Sequence, residues 1–164
     1  MSIELIGVHK AFGVNQVLKG FTLSVQDGDT LSVIGGSGTG KSVALKHIVG
    51  LLRPDQGEIW VDGENVSRLD LETLYVLRRR VGYVFQFAAL FDSMTIEENV
   101  GMGLRRMSDM TEAKIRSRVF DCLHLVDLDG YGDRFPSQLS GGQRKRAGFA
   151  RAIATEPKYL LYDE

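Results

Sequence analysis

The chain has 164 residues, of which 43% are hydrophobic and 25% are charged. That composition is typical of a single folded domain with enough apolar chain to form a core. Its 20 lysines and arginines are balanced by 21 aspartates and glutamates, for a formal net charge of −1, which disfavours a nucleic-acid-binding protein. The first residues do not resemble a secretory leader, and no apolar run is long enough to span a bilayer, so we expect a cytosolic chain.

Cysteine and histidine residues show no pattern of a metal or redox site. Cys122 is the only cysteine and lies in an apolar helical stretch, which predicts a buried core thiol. His9, His47 and His124 lack the spacing of zinc ligands and have no cysteine pair nearby. We therefore expect no metal site built from these side chains.

The first elements in chain order are two predicted strands, residues 3–8 and 21–25, with a turn at residues 13–16 between them. This pattern predicts an antiparallel β region near the N-terminus. Phe12 stands at the edge of the turn. A ring there is able to stack on adenine or to join the core, and its position alone leaves both interpretations open.

A glycine-rich run follows residues 29–34, which we predict to be a buried strand, and precedes a predicted helix over residues 42–51. The run fits the phosphate-binding P-loop pattern of glycine, four residues and Gly-Lys-Ser. Glycines let backbone N–H groups wrap a phosphate chain, Lys41 can reach the terminal phosphates, and Ser42 can place its hydroxyl on Mg²⁺. The run comprises Gly35, Gly36, Ser37, Gly38, Thr39, Gly40, Lys41 and Ser42.

The middle of the chain is predicted to contain a strand over residues 58–62, a helix over 70–80 and an apolar strand over 81–85. Gln86 follows the last of these strands. The carboxyl end of a buried strand is where ligands bind in an open α/β sheet, so Gln86 is a candidate site residue.

The apolar loop of residues 87–95 admits two interpretations. Its loop signals beside a candidate ligand site are typical of a docking surface, whereas its composition is equally that of a buried segment. Thr95 followed by Glu97 and Glu98 predicts the start of a helix.

The C-terminal half begins with an amphipathic helix predicted over residues 111–126. Ser140, Gly141 and Gly142 then precede a second predicted helix, residues 144–155. A start of this kind is either an anion-binding site or simply a capped helix terminus, and the residues alone leave both open.

The last predicted strand, residues 158–162, delivers Asp163 and Glu164. A carboxylate at the end of a buried parallel strand, in a chain that also carries a P-loop, has the position and charge to hold Mg²⁺.

Five motifs, in this order, resemble those of the ATP-binding subunits of ABC transporters. They are Phe12, the P-loop run, Gln86, the signature sequence from Leu139 to Gln143, and the strand that ends in Asp163-Glu164. The resemblance implies an α/β fold, a P-loop NTPase ABC core with an N-terminal antiparallel β region and a helical insertion over about residues 94–136. The whole chain, 1–164, is then one nucleotide-binding domain.

The resemblance implies that the chain binds ATP with Mg²⁺. Phe12 takes the place of the aromatic residue beneath adenine, and the phosphates are bound by the P-loop run together with Val43. The signature sequence of a second subunit completes the site, so a homodimer is expected. The signature residues concerned are Ser140, Gly141, Gly142 and Gln143.

The resemblance also implies catalytic and partner roles. Ser42, Gln86 and Asp163 are expected to hold Mg²⁺, and Glu164 is expected to act with Lys41 and Gln86 in catalysis by polarising the attacking water. Hydrolysis would drive transport through an integral membrane permease. The chain would then lie peripherally on the cytoplasmic face of the inner membrane.

A narrower resemblance rests on the sequence from Ala89 to Ile96 and on the P-loop from Gly35 to Val43. Both are similar to those of Mla-type ATPases, which act with a permease and an MCE-domain protein in phospholipid transport. This resemblance implies lipid transport, with an MCE-domain lipid-binding protein as a further partner.

Family members continue beyond the Asp-Glu pair through a D-loop and a switch histidine. We therefore expect the chain to be part of a longer protein, missing its C-terminal part, and to hydrolyse ATP poorly by itself. Two other functions remain open. One is a soluble ABC ATPase of DNA repair or translation, which should show a basic groove or a long coiled-coil insertion. The other is a non-hydrolysing ATP-binding interaction module, which Glu164 argues against.

Overall fold

A computed structural model of the chain describes residues 2–107 and 110–163. The chain divides into two compact units, residues 1–78 and 79–164, which are described separately below. Across the described residues, no helix combines the length and the apolar character needed to cross a membrane.

The first unit is built on an antiparallel sheet of four strands. Strands β1 (Ser2–Phe12) and β2 (Asn15–Gln26) form the predicted hairpin, and β3 (Gln56–Val61) and β4 (Glu64–Asn65) extend it, in the order β2-β1-β3-β4. The hairpin is therefore confirmed and is longer than predicted. Strands β1 and β3 bury Ile3, Leu5, Val8, Ile59 and Val61, and a register shift between Leu5 and Val8 interrupts the alternation along β1.

The first unit also contains the α-helix α1 (Lys41–Ile48), a 3₁₀ helix (Val66–Arg68) and all but the last two residues of the α-helix α2 (Leu71–Arg80). The Arg78 side chain closes the end of α1, because its Nε donates to the carbonyl of Val49 at 2.9 Å and an Nη donates to that of Gly50 at 3.2 Å. Carbonyls at a helix C-terminus have no partner within the helix, so this arginine satisfies groups that burial would otherwise leave unpaired.

The prediction of a strand over residues 29–34 is wrong. These residues form no regular element in the structure, and Leu31, Val33 and Ile34 are exposed. Apolar, β-branched composition gives a segment the propensity for a strand, but a strand exists only where a neighbour supplies its hydrogen bonds. Residues 29–34 pair with no other strand of the chain as far as the structure describes it.

The described residues of the second unit contain a pair of parallel strands, three α-helices and a 3₁₀ helix (Pro136–Gln138). Strand β5 (Val81–Val84) pairs with β6 (Tyr159–Tyr162). The helices are α3 (Ile96–Arg105), α4 (Glu112–Leu125) and α5 (Gly141–Ala154). They bury a common core, which includes the predicted core thiol of Cys122 together with Val100, Leu104, Val119, Ala147 and Ala150.

The helices of the second unit begin on hydroxyl side chains. Thr95 accepts a hydrogen bond from the backbone N–H of Glu98 and Ser140 from that of Gln143, and in both cases the second side chain returns a bond to the cap backbone. This reciprocal arrangement satisfies two of the N–H groups that a helix start leaves unpaired. The helix start predicted at Thr95 is confirmed.

The C-terminal end of α5 is closed by Arg118 of α4. Its Nε donates to the carbonyl of Ala154 and an Nη donates to that of Ile153, both at 3.0 Å. The fork of a guanidinium fits two successive carbonyls in this way, whereas a single ammonium group does not.

The close approach of β3 to β1 gives a test of the first unit. A Cβ at Gly57 would lie 2.6 Å from the carbonyl oxygen of Ile6 and 2.6 Å from the carbonyl carbon of Gly7. We expect Gly57→Ala to lower the free energy of unfolding by about 2 kcal/mol more than Gly63→Ala, because overpacking adds to the backbone strain. Gly63 is the matched control, since it too has a positive φ (83°) but open space around it. Equal urea midpoints for the two variants would contradict the close approach.

Candidate nucleotide-binding site

The glycine-rich run ends at Gly40, the residue before α1. Gly40 has a φ of 98° and provides no side chain to cap the helix. A Cβ there would lie 2.9 Å from Val17 Cγ1 and 3.0 Å from Leu18 Cδ2, so glycine is required by both conformation and space. The start of α1 therefore packs directly on strand β2, with no side-chain oxygen at its N-cap.

The ammonium group of Lys41 lies against the loop that precedes it. Lys41 Nζ donates to the carbonyls of Gly35 at 2.8 Å and Gly36 at 2.9 Å, and the hydroxyl of Thr39 also donates to Gly36. The loop from Gly35 to Thr39 is exposed. Exposed backbone, a cation and the positive end of a helix are the features that bind phosphate groups.

The first turn of α1 holds Ser42 and Val43, both of which are half-buried. The Val43 carbonyl accepts a hydrogen bond from Nδ1 of His47 at 2.7 Å. The His47 side chain is fully buried, and burial lowers its pKa. The neutral ring is therefore part of the core beneath the P-loop helix, a role that the sequence analysis did not assign.

Phe12 lies at the end of β1 and is half-exposed, so it is not the core residue that its position also allowed. The ammonium nitrogen of Lys10 is 5.7 Å from the centroid of its ring. Lys10 also pairs with Asp55 at 2.7 Å, and the pair lowers the pKa of that carboxyl group. An accessible aromatic face is what stacking on a base requires.

Gln86 and Asp163 follow the carboxyl ends of the two parallel strands in the second unit. Val84 and Tyr162 are opposite each other in the β5–β6 register, so the residues after them emerge at the same edge of the sheet. Asp163 is only 7% exposed, and its backbone N–H donates to the Val84 carbonyl at 3.0 Å. The structure thus places the predicted glutamine and aspartate at one sheet edge.

Tyr83 is a residue of this edge that the sequence analysis missed. Its hydroxyl donates to Oδ2 of Asp163 at 3.1 Å, and burial together with the negative charge of Asp163 raises the pKa of Tyr83. The phenol therefore keeps its proton and donates it in the hydrogen bond to the carboxylate. The signal in the sequence was its position two residues before Phe85, which places both aromatic side chains on one face of a strand. In the structure the centroids of the two rings are 4.3 Å apart.

The loop after Gln86 contains both exposed and buried apolar residues. Phe87 is 86% exposed and Phe91 is half-exposed, whereas Ala88 is buried. The two interpretations of this loop thus apply to different residues. Phe87 and Phe91 are accessible, whereas Ala88 is buried.

The side chain of Asn99 holds the far end of this loop. Asn99 is fully buried on α3, its Oδ1 accepts from the N–H of Phe91 at 2.7 Å, and its Nδ2 donates to the carbonyls of Phe91, Met94 and Thr95. One amide thereby pairs four backbone groups, which fixes the position of Phe91. A polar residue on the apolar face of a predicted helix, between Ile96 and Val100, was the available signal for Asn99.

Ser140, Gly141 and Gly142 are exposed at the start of α5. Both polar atoms of the Gln143 side chain have hydrogen-bond partners. Oε1 accepts from the Ser140 N–H at 2.8 Å, and Nε2 donates to the Tyr131 hydroxyl at 3.0 Å. Gln143 therefore rigidifies the helix start, and the two glycines leave its outer surface open.

Glu164, the predicted catalytic carboxylate, lies outside the described residues. Within residues 2–107 and 110–163, no cluster of three or more His, Cys, Asp or Glu side chains could hold a metal ion. Mg²⁺ commonly takes only one or two protein ligands and completes its shell with water and substrate phosphates. The buried carboxylate of Asp163 has the chemistry of one such ligand.

A family model described as ABC transporter matches residues 18–164. The chain is 44% identical over all its residues to the sulfate/thiosulfate import ATP-binding protein CysA of Gloeobacter violaceus, and 42% identical to the probable ribonucleotide transport ATP-binding protein mkl of Mycobacterium bovis. It spans 46% of the length of each of these relatives.

A solved structure extends the comparison to the fold. The dimeric, post-hydrolysis state of the ATP-binding cassette MJ0796, bound to ADP and Pi, superposes with a TM-score of 0.92 at 34% identity. The alignment covers 99% of this chain and 73% of that one. The chain belongs to the ABC transporter family, and its fold is that of an ATP-binding cassette, which confirms the predicted fold class.

The burial of His47 predicts a loss of stability in mild acid. Because its pKa in the folded protein lies below the ordinary histidine value of about 6.5, the unfolded chain binds more protons, and stability falls as pH drops below that value. We expect a loss of up to about 1.4 kcal/mol per pH unit, measured from urea midpoints between pH 7.5 and 5.5, and a smaller loss in His47→Gln.

The matched control for His47 is the exposed His124. Asp129 accepts a hydrogen bond from it and raises the pKa of His124, so its protonation does not destabilise the folded state. His124→Gln should retain the acid sensitivity of the unmutated protein. An equal pH dependence in His47→Gln and the unmutated protein would contradict the role assigned to His47.

Proposed function

We propose that the chain is the ATP-binding part of an ABC transporter and that the complete protein hydrolyses ATP to drive transport. The observation that carries this proposal is the exposed loop Gly35–Thr39, which leads to a helix without a side-chain cap and holds the ammonium of Lys41 against it. A phosphate chain that enters the loop gains backbone N–H donors, the helix field and a cation together.

The proposed roles follow from the chemistry of each side chain. Lys41 exchanges its contacts with Gly35 and Gly36 for phosphate oxygens, and Ser42 and Asp163 are proposed to hold Mg²⁺ with help from Gln86. When bound, Mg²⁺ neutralises charge on the phosphates. Glu164 is proposed to orient the attacking water, and Tyr83 keeps Asp163 in position through its hydroxyl.

Two further contacts to ATP are proposed. The half-exposed ring of Phe12 stacks on the adenine base, and the helix start of Ser140, Gly141 and Gly142 meets the γ-phosphate bound by a second copy of the chain. The dimeric state of the cassette MJ0796 supports the pairing of two copies that this contact requires. Gln143 is proposed to support the start of α5 through its side chain, and Val43 to support the start of α1 through its backbone carbonyl.

The membrane partner is proposed to be a permease that docks on the loop bearing Phe87 and Phe91. Exposed aromatic residues beside a candidate site are typical of contact surfaces, and Asn99 fixes one of them. The cassette then lies on the cytoplasmic side of a membrane, bound to that permease. We further propose that residues 94–136, which contain α3 and α4, correspond to the helical insertion of the family.

Two observations favour different transported substrates. The resemblance of residues 89–96 to Mla-type ATPases favours a phospholipid, with an MCE-domain protein as partner. The relatives named above favour sulfate or a ribonucleotide instead. ATP hydrolysis by the complete protein, with the permease that copurifies from its native membrane, should be stimulated by one of these substrates. Stimulation by sulfate or a ribonucleotide, with none by phospholipid, would remove the lipid proposal.

The P-loop assignment predicts a specific loss of nucleotide binding. We expect Lys41→Ala to weaken the binding of Mg-ATP by about ten- to a hundredfold, because it removes a charged hydrogen-bond donor to phosphate. Titration calorimetry measures the affinity. Lys46→Ala, at the other end of α1, has the same charge change and should bind as the unmutated chain does. Equal affinities in the two variants would exclude the P-loop from the site.

The role proposed for Glu164 predicts a variant that binds ATP but does not hydrolyse it. In the complete protein, Glu164→Gln should retain ATP binding, abolish steady-state hydrolysis and accumulate the ATP-bound dimer, because only the activation of water is lost. Gel filtration with ATP and a phosphate-release assay measure the two effects. Under the alternative of a non-hydrolysing interaction module, the variant and the unmutated protein would both lack hydrolysis.

A further inference from the structure

The backbone immediately after Gln86 has an uncommon conformation. Ala88 and Ala89 are successive non-glycine residues with positive φ values of 60° and 48°. Each such residue is less stable than in the right-handed region by about 1 kcal/mol or more. The turn persists because other groups hold it, so its surroundings indicate what it is coupled to.

Arg151 of helix α5 holds this turn. Its two Nη atoms donate to the carbonyls of Ala89 at 2.7 Å and Ala88 at 2.9 Å. Burial lowers the pKa of the guanidinium. Within the part of the chain that the structure describes, Arg151 pairs with no carboxylate. The two backbone carbonyls therefore stabilise its charge. A partly buried cation with this geometry resists displacement, since moving the turn leaves its charge unpaired.

The backbone of α5 also contacts the turn directly. A Cβ at Gly148 would lie 3.0 Å from both Cα and Cβ of Ala88, a space that only glycine leaves free. Gly148 is three residues before Arg151 and so lies on the same face of the helix. Two neighbouring positions on one face of α5 thus make a steric and a polar contact with the same two residues.

The same helix carries the signature residues at its other end. Ser140 caps α5, and eleven residues later, about 16 Å along the helix axis, stands Arg151. A helix of this length moves as a rigid rod, so a displacement at Ser140 is transmitted to the turn at Ala88 and Ala89. Gln86 is two residues before that turn.

We propose that Arg151 is a positioning residue that couples the signature end of α5 to Gln86. This inference rests on the proposed function, in which Gln86 acts at the reacting phosphate and Ser140 contacts the nucleotide of the second subunit. Arg151 fixes the position of Gln86 when the signature end of α5 contacts the nucleotide of the second subunit. It also connects the helix to the exposed Phe87, the neighbour of Gln86 on the docking loop.

The test compares two arginines that use the same fork on successive carbonyls. In the complete protein, Arg151→Lys keeps the charge but cannot span both carbonyls, whereas Arg118→Lys makes the same change at the carbonyls of Ile153 and Ala154. We expect Arg151→Lys to lower kcat for ATP hydrolysis by about ten- to a hundredfold with KM for ATP unchanged, because Gln86 is misplaced while the P-loop is intact. Arg118→Lys should retain kcat.

Hydrogen exchange provides the structural arm of the test. Amides of residues 86–91 should exchange at least about tenfold faster in Arg151→Lys than in Arg118→Lys, measured by mass spectrometry of peptides from the complete protein. Gly148→Ala is the second variant, in case Arg151→Lys fails to fold. Its added methyl group presses on Ala88 and should lower kcat in the same way.

The outcomes separate this inference from the function on which it rests. An unmutated protein that hydrolyses ATP, with Arg151→Lys and Gly148→Ala of unchanged kcat, overturns the positioning role and leaves the proposed function intact. Faster exchange with unchanged kcat assigns Arg151 to stability alone and also overturns the role. An unmutated complete protein without ATPase activity overturns the proposed function and the role of Arg151 together.

Discussion

The helix starts of this protein differ in one respect on which the candidate site depends. Helices α3, α4 and α5 begin on Thr95, Thr111 and Ser140, whose hydroxyl groups accept hydrogen bonds from the first turn. Helix α1 begins on Gly40, which has no such group. A helix start favours a hydrogen-bond acceptor or an anion because of its backbone N–H groups and positive field, and Gly40 has no side chain to supply an acceptor. Glycine at that point therefore forgoes the stability that a capping hydroxyl gives helices α3, α4 and α5.

Arginine side chains serve the opposite helix ends and thereby connect the elements of each unit. Arg78 joins the end of α1 to helix α2 in the first unit, and Arg118 joins the end of α5 to helix α4 in the second. Arg151 uses the same fork on a loop instead of a helix end. Each contact satisfies carbonyls that packing removes from water. These arginines hold backbone segments in place, which a count of ion pairs would not reveal.

The elements that could be predicted from sequence are those with a local physical cause. The β1–β2 hairpin follows from its turn, and the start of α3 from the Thr95 and Glu98 pair. The segment 29–34 could not be predicted, because its structure depends on a neighbouring strand rather than on its own composition. Arg151 gave no signal, since the carbonyl that it contacts is 62 residues away. The assignment of Glu164 stays a prediction, as does every residue role inferred from resemblance.

The two ends of the glycine-rich loop are anchored differently, with a consequence for affinity. Gly40 is seated against Val17 and Leu18, so the exit of the loop is fixed by the hairpin, whereas residues 29–34 at its entrance have no ladder among the described residues. If a bound phosphate orders this entrance, the ordering of its backbone costs about 1–2 kcal/mol per residue. Any strand that paired with residues 29–34 would remove part of that entropy loss in advance. It would strengthen nucleotide binding without touching the nucleotide.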